Sequence, residues 1–235
     1  MKKIINISLV CLCSILFLAS CAEDDAVAPK VTYYAQLELN GDEYMVTDMG
    51  QTFQDPGCTA TMKGEDVSSQ VVVSGNVDTS TAGMYDLTYS ITNEDGISAT
   101  VSRHVIVKHS SDNVAGVYYN TADSYRDYSG TISAFGAEYQ IIVVPTDEVG
   151  VYEVDDLLGG WYCQRAGYGT SYAMYGTISV DSETGTVEAL YGRVPGWNDS
   201  YDSFENGTFN ANSGLIQYEV SYAGCMTFYI SLLKM

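Results

Sequence analysis

Gly83-Met84-Tyr85-Asp86-Leu87-Thr88-Tyr89-Ser90-Ile91 is the stretch that decides the fold. Its strict alternation places Tyr85, Leu87, Tyr89 and Ile91 on one face of an extended strand, and such a face needs a second layer to cover it. Asn93-Glu94-Asp95-Gly96 then turns the chain. The returning run 97–107 sets Val101, Arg103, Val105 and Val107 on one side, and His104 on the opposite, solvent-facing side. Upstream, Asn40-Gly41-Asp42 is a hairpin signal. Downstream, strands are expected at 131–135, 138–144, 172–180, 186–191, 215–222 and 225–233, separated by turns such as Glu183-Thr184-Gly185 and Ala211-Asn212-Ser213-Gly214. No window of ten or more residues has helical periodicity. The class is all-β.

A polar linker, His109-Ser110-Ser111-Asp112, divides the chain into regions 34–108 and 113–235. The second holds 15 of the 20 Tyr and both Trp. Its short strands and regular turns suggest a second antiparallel sandwich or small barrel.

Phe53-Gln54-Asp55-Pro56-Gly57-Cys58, then Gly83-Met84-Tyr85-Asp86-Leu87-Thr88-Tyr89, then Arg103-His104-Val105-Ile106-Val107 follow one pattern in order and spacing. It resembles the bacterial immunoglobulin-like family related to the hyalin repeat. That resemblance covers about 34–108 and implies a β-sandwich acting as a spacer. Cys58 departs from it, standing where the family carries Ala or Val; a small buried thiol is expected. In the second region, Val114-Ala115-Gly116-Val117-Tyr118-Tyr119, Gly159-Gly160-Trp161-Tyr162, Val194-Pro195-Gly196-Trp197 and Phe228-Tyr229-Ile230-Ser231-Leu232 resemble a C-terminal domain of Bacteroides lipoproteins. The resemblance extends to accessory lipoproteins of starch-utilisation-type outer-membrane importers. It implies nutrient capture at the cell surface and carries no established binding residues.

The N-terminus reads as a signal peptide over 1–20. Met1-Lys2-Lys3 is a positive start, and an apolar run follows that is shorter than the roughly 20 residues of a transmembrane helix. Leu18-Ala19-Ser20-Cys21 matches the lipobox of bacterial lipoprotein precursors, so Cys21 is expected to carry lipid and residues 21–33 to form a tether. Several acyl chains, at about 0.8 kcal/mol per buried methylene, anchor a protein stably. Ala22-Glu23-Asp24-Asp25 resembles the surface-export signal of Bacteroidetes lipoproteins. The expected location is the outer membrane, facing the cell exterior.

Charge narrows the partners. Removing Lys2 and Lys3 leaves 8 basic against 30 acidic side chains, a net charge near −22. Nucleic acid is excluded as a partner, because phosphate must be neutralised by Lys and Arg. Beyond the lipobox, Cys58, Cys163 and Cys225 form an odd set. Cys163 and Cys225 can pair in an exported protein, and none of the three has zinc-site spacing.

Catalytic signatures are absent: no nucleophile elbow, no zinc-protease motif and no phosphate loop. The protein is read as not an enzyme, with no cofactor and no metal. Asp199, Asp202, Glu205 and Asn206 have the look of calcium ligands, but their spacing fits a solvated acidic loop better. Aromatic residues are the binding candidates: Trp197 after Pro195-Gly196, with Tyr201 nearby, and Trp161 with Tyr162 after a Gly pair. An exposed ring can stack on a sugar or a peptide side chain. Trp161 reads first as core, and Trp197 stands between core and surface.

Two functions follow. One is a non-catalytic accessory module of an outer-membrane importer, capturing oligosaccharide or oligopeptide. The other is a structural or adhesive surface protein, with the immunoglobulin-like region as spacer and the second region contacting another protein.

Overall fold

The computed structural model describes residues 31–235. The expected signal peptide and the expected lipidation site, Cys21, lie outside the described residues.

Seven strands make the first half: β1 Gln36–Leu39, β2 Tyr44–Asp48, β3 Cys58–Met62, β4 Glu65–Asp66, β5 Val72–Ser74, β6 Gly83–Thr92 and β7 Ser98–Lys108. They form two sheets, ordered β1-β3-β4 and β2-β7-β6-β5. β2 runs parallel to β7, and the other pairs are antiparallel. The alternation of β6 holds: Leu87, Tyr89 and Ile91 are buried.

The motif residues of this half converge on one polar knot. Arg103 is fully buried and its guanidinium meets the Asp55 carboxylate. It also donates to the Tyr89 hydroxyl at 2.8 Å, to the carbonyl of Asn40 at 2.8 Å and to that of Asp42 at 3.1 Å. Tyr89 in turn donates to Asp55 at 2.5 Å, and the Gly57 N–H does so at 3.0 Å. Burial pushes the Asp55 carboxyl up, but these donors outweigh it and hold it below the usual range.

One expectation about β7 fails. His104 is only partly exposed: its ring stacks on Tyr44 at 4.7 Å and its Nδ1 pairs with Asp86 at 2.6 Å. Its face of the strand is covered because Ile106, on the same side, joins the core of the second half.

The second half has ten strands: β8 Gly116–Asn120, β9 Tyr125–Tyr128, β10 Thr131–Ala134, β11 Gln140–Pro145, β12 Val151–Val154, β13 Tyr175–Val180, β14 Val187–Arg193, β15 Ser203–Asn210, β16 Leu215–Tyr222 and β17 Met226–Lys234. All belong to one antiparallel sheet. β17 lies inside it, with β16 along one edge and β9 then β8 along the other. The sheet curls until β14 and β15 meet at a single bridge, Thr186 to Thr208. Gly207 makes that approach possible: a Cβ there would stand 2.0 Å from the Val187 carbonyl oxygen. The neighbouring register shift, between Glu205 and Thr208, is a β-bulge that keeps Asn206-Gly207 inside a strand.

Inside the curl lies a large apolar core that includes Tyr118, Ile141, Leu157, Trp161, Met174 and Phe228. The expected strand 172–180 starts only at Tyr175, because Thr170–Tyr172 forms a 3-10 turn.

Candidate functional site

The aromatic candidates divide into a buried group and an exposed one. Trp161 is in the core, 3% exposed, and is withdrawn as a ligand residue. Phe135 packs edge-on at 4.9 Å, and the guanidinium carbons of Arg165 and Arg126 stand 4.0 and 4.5 Å from its ring centre. Trp161–Arg165 is one π-helical turn, closed by hydrogen bonds such as Arg165 N–H to the Gly160 carbonyl at 2.9 Å. Two tyrosines near this turn, Tyr162 and Tyr168, face away toward Trp197.

Trp197 is 41% exposed and its loop is fixed from several sides. The Val194 N–H bonds to the Asp199 carbonyl at 2.8 Å, and the Gly196 N–H to that of Ser171 at 2.6 Å. Gly196 lies so close to the Tyr172 ring that a Cβ would stand 2.7 Å from it. Tyr162 and Tyr172 stand 4.8 and 4.9 Å from Trp197, and Tyr168 and Tyr222 at 6.3 and 6.4 Å. Tyr168 is 56% exposed. Together these rings form an aromatic shelf at the C-terminal ends of β14 and β16.

Tyr201 does not join the shelf. Its ring covers Gly192 and its hydroxyl donates to the Ala189 carbonyl at 3.4 Å. Sequence proximity misled here, because the partners of Trp197 come from the 159–172 loop and the end of β16. The turn signals Gly159-Gly160 ahead of Trp161 and Pro195-Gly196 ahead of Trp197 were the available sign that two loops meet.

Carboxylates near the shelf hold the frame. Asp156 is buried beneath it and accepts from the N–H groups of Leu158, Gly160 and Met174 at 2.9, 3.1 and 3.0 Å. It thereby ties the π-helical turn to the start of β13. Asp199 accepts from the Tyr222 hydroxyl at 2.7 Å and Asp202 from the Gly224 N–H at 2.7 Å.

The expected pairing of Cys163 with Cys225 is not formed; both are free, as is Cys58. Cys163 Sγ instead donates to Asp156 at 3.3 Å. Burial first, and then the neighbouring Asp156, push its thiol up to about 12, which favours the protonated form.

A second concavity lies at the other end of the sheet. It is a cleft of about 960 Å³ bordered by the 109–113 linker and the turns after β11, β13 and β15. Nothing in the sequence marked it, since its wall is assembled from the linker and three separate turns.

Comparison with known proteins fits this two-part arrangement. Residues 37–107 match the family described as "Bacterial surface protein, Ig-like domain". Residues 107–234, more than half of the chain, match a family described as a C-terminal domain. The crystal structure of the lipoprotein BT2262 from Bacteroides thetaiotaomicron is 37% identical, with a TM-score of 0.75, covering 86% of this chain and 100% of its own. Two structures from Clostridium perfringens ZmpB also match. The M60 catalytic domain with CBM51-1 and CBM51-2 has 18% identity, and CBM51-2 in complex with GlcNAc and INT domains has 13%. They cover 52% and 84% of this chain and 15% and 44% of their own. Their TM-scores of 0.28 carry no argument. No curated protein matches. Given the identity and coverage of the first match, this chain belongs to the family of Bacteroidetes surface lipoproteins that includes BT2262, with an Ig-like domain followed by a C-terminal β domain.

Proposed function

We propose that the protein is anchored to the outer membrane through lipid on Cys21, faces the exterior, and serves as a non-catalytic binding module of a nutrient importer. Its ligand is an oligosaccharide or oligopeptide that stacks on the aromatic shelf. The observation that carries this reading is Trp197, half-exposed on a loop already fixed by hydrogen bonds and by the Tyr172 ring. A pre-formed loop loses little freedom on docking. The nearby carboxylates Asp156, Asp199 and Asp202 are engaged in structural hydrogen bonds, which supports binding rather than chemistry.

Trp197→Ala tests the site. A stacked aromatic contact beyond area burial contributes about 0.5–1.5 kcal/mol, so binding should weaken about threefold to tenfold with the fold retained. Calorimetric titration with neutral oligosaccharides and short peptides reads the first effect, and thermal unfolding the second. Loss of about 3–5 kcal/mol of stability would instead make Trp197 a core residue. The anchor is tested separately: Cys21→Ala should abolish palmitate labelling and release the protein from the membrane fraction.

A further inference from the structure

We propose that the cleft at the opposite end of the curled sheet is a second binding site, specific for a neutral, hydroxyl-rich ligand of the oligosaccharide class. It is independent of the aromatic shelf. β16 joins the two places: Leu215 lines the cleft and Tyr222 belongs to the shelf. Seven residue steps at about 3.3 Å put them roughly 23 Å apart.

The cleft, at about 960 Å³, lies at the upper end of the range for small-ligand sites, and the mouth of a curled sheet is a usual place for one. Its rim is held in shape by its own turns. The Asp181 carboxylate accepts from the N–H groups of Glu183 and Thr184, both at 2.8 Å. The Asn210 side-chain oxygen accepts from the Asn212 N–H at 3.0 Å. Asp112 accepts from the Val114 N–H at 2.7 Å and from the Tyr152 hydroxyl at 3.0 Å. A rim ordered before the ligand arrives reduces the entropy lost on binding.

Its chemistry selects the ligand. Ser111, Asn113, Ser182, Thr184 and Gln217 offer hydroxyls and amides that both donate and accept, as sugar hydroxyls do. The apolar floor residues Tyr152 and Phe209 are buried, and apolar surface is offered at the rim by Val149, where the C–H face of a sugar ring can pack. No Lys or Arg lines the cleft, and the chain carries a large negative charge, so an anion is repelled. The ammonium groups of Lys108 and Lys234 donate to the linker carbonyls of Asp112 and Asn113 at 2.8 and 2.9 Å and help hold that wall in place. A neutral polyol meets no such repulsion and can use the hydroxyl and amide lining.

The test is an array of neutral and uronic-acid-bearing oligosaccharides probed with the intact labelled protein and three variants. Trp197→Ala removes a shelf ring. Ala211→Trp places bulk at the exposed rim of the cleft, and Gln217→Ala removes one of its amides. Neutral glycans should still be retained by Trp197→Ala, and Ala211→Trp should weaken that retention by roughly tenfold or more through lost shape fit. Thermal unfolding checks each variant, and Gln217→Ala, with an expected several-fold loss, stands in if Ala211→Trp does not fold. The proposal is overturned if no neutral glycan is retained, if Trp197→Ala alone abolishes retention, if uronic glycans are preferred, or if the cleft variants bind as the parent does. Abolition by Trp197→Ala alone would leave the shelf reading standing and remove this one.

Discussion

The two halves of the molecule are held together by different physics. Residues of the first half enclose a small apolar cluster around Ala35, Ala60 and Ile91, and their central large side chain is a charged one, Arg103. The second half encloses a continuous apolar core with Trp161 and Phe228 near its centre. A small sandwich that buries little apolar surface depends on a few directional interactions, whereas a large core spreads its stability over many contacts. The first half should therefore fail at single points and the second should not. The halves also share one element, since Ile106 of β7 packs into the larger core.

Removing Arg103 should break that comparison most severely. Arg103→Ala takes one donor from the Asp55 carboxylate and from the backbone carbonyls of Asn40, Asp42 and Gly57, and losing one partner of a buried pair costs about 3–5 kcal/mol. Denaturant unfolding of the variant should show the first half melting ahead of the second, at a lower midpoint than in the parent. A single, unshifted transition would mean the knot contributes nothing.

Ile106→Ala probes the shared element. A cavity of that kind costs about 2–5 kcal/mol, and because the side chain belongs to the second core the loss should appear in both halves. Hydrogen exchange on β11 and β7 is the readout. Protection lost in β7 alone would show the halves to be independent.

Proton linkage sharpens the difference further. Asp55 has its folded pKa lowered, so its contribution is present above the unfolded carboxylate range near 4 and is lost as pH falls below it. Tyr89 is the reverse case: burial and the Asp55 hydrogen bond push it up to about 12, so its contribution is lost as pH rises from about 10 toward 12. Stability of the first half, followed by the resonances of β6 and β7, should fall at both extremes and be flat between them. Arg103→Ala should flatten the acid limb.

The smallest effect concerns the thiols. With Cys163 donating to Asp156 and no disulfide formed, a reducing agent should leave the unfolding midpoint of either half unchanged. A downward shift would restore the Cys163–Cys225 pairing.

Legibility in the sequence followed the same divide. Period-two alternation exposed β6 and β7, and Asp55, Tyr89 and Arg103 stood out as motif positions. Their convergence could not be read, because it joins residues 34 and 48 positions apart. β15 was missed because Asn206-Gly207, a turn signal in any local reading, sits in a β-bulge. β8, β9 and β12, each five residues or shorter, were missed as well. The Trp197 loop was legible from Pro195-Gly196, but its tyrosine neighbours depend on tertiary packing, and the cleft has no contiguous signal at all.

The placement of β17 inside its sheet governs how the second half can come into being. Ser124 hydroxyl to Ser231 carbonyl, at 3.0 Å, ties together positions 107 apart in the chain. Until β17 emerges, β8 and β9 lack the neighbour that joins them to β16, and the curl cannot form. Such distant pairings slow folding, since a long loop must close before any contact rewards it. The larger half therefore closes only once all of it, through β17, is available to pair.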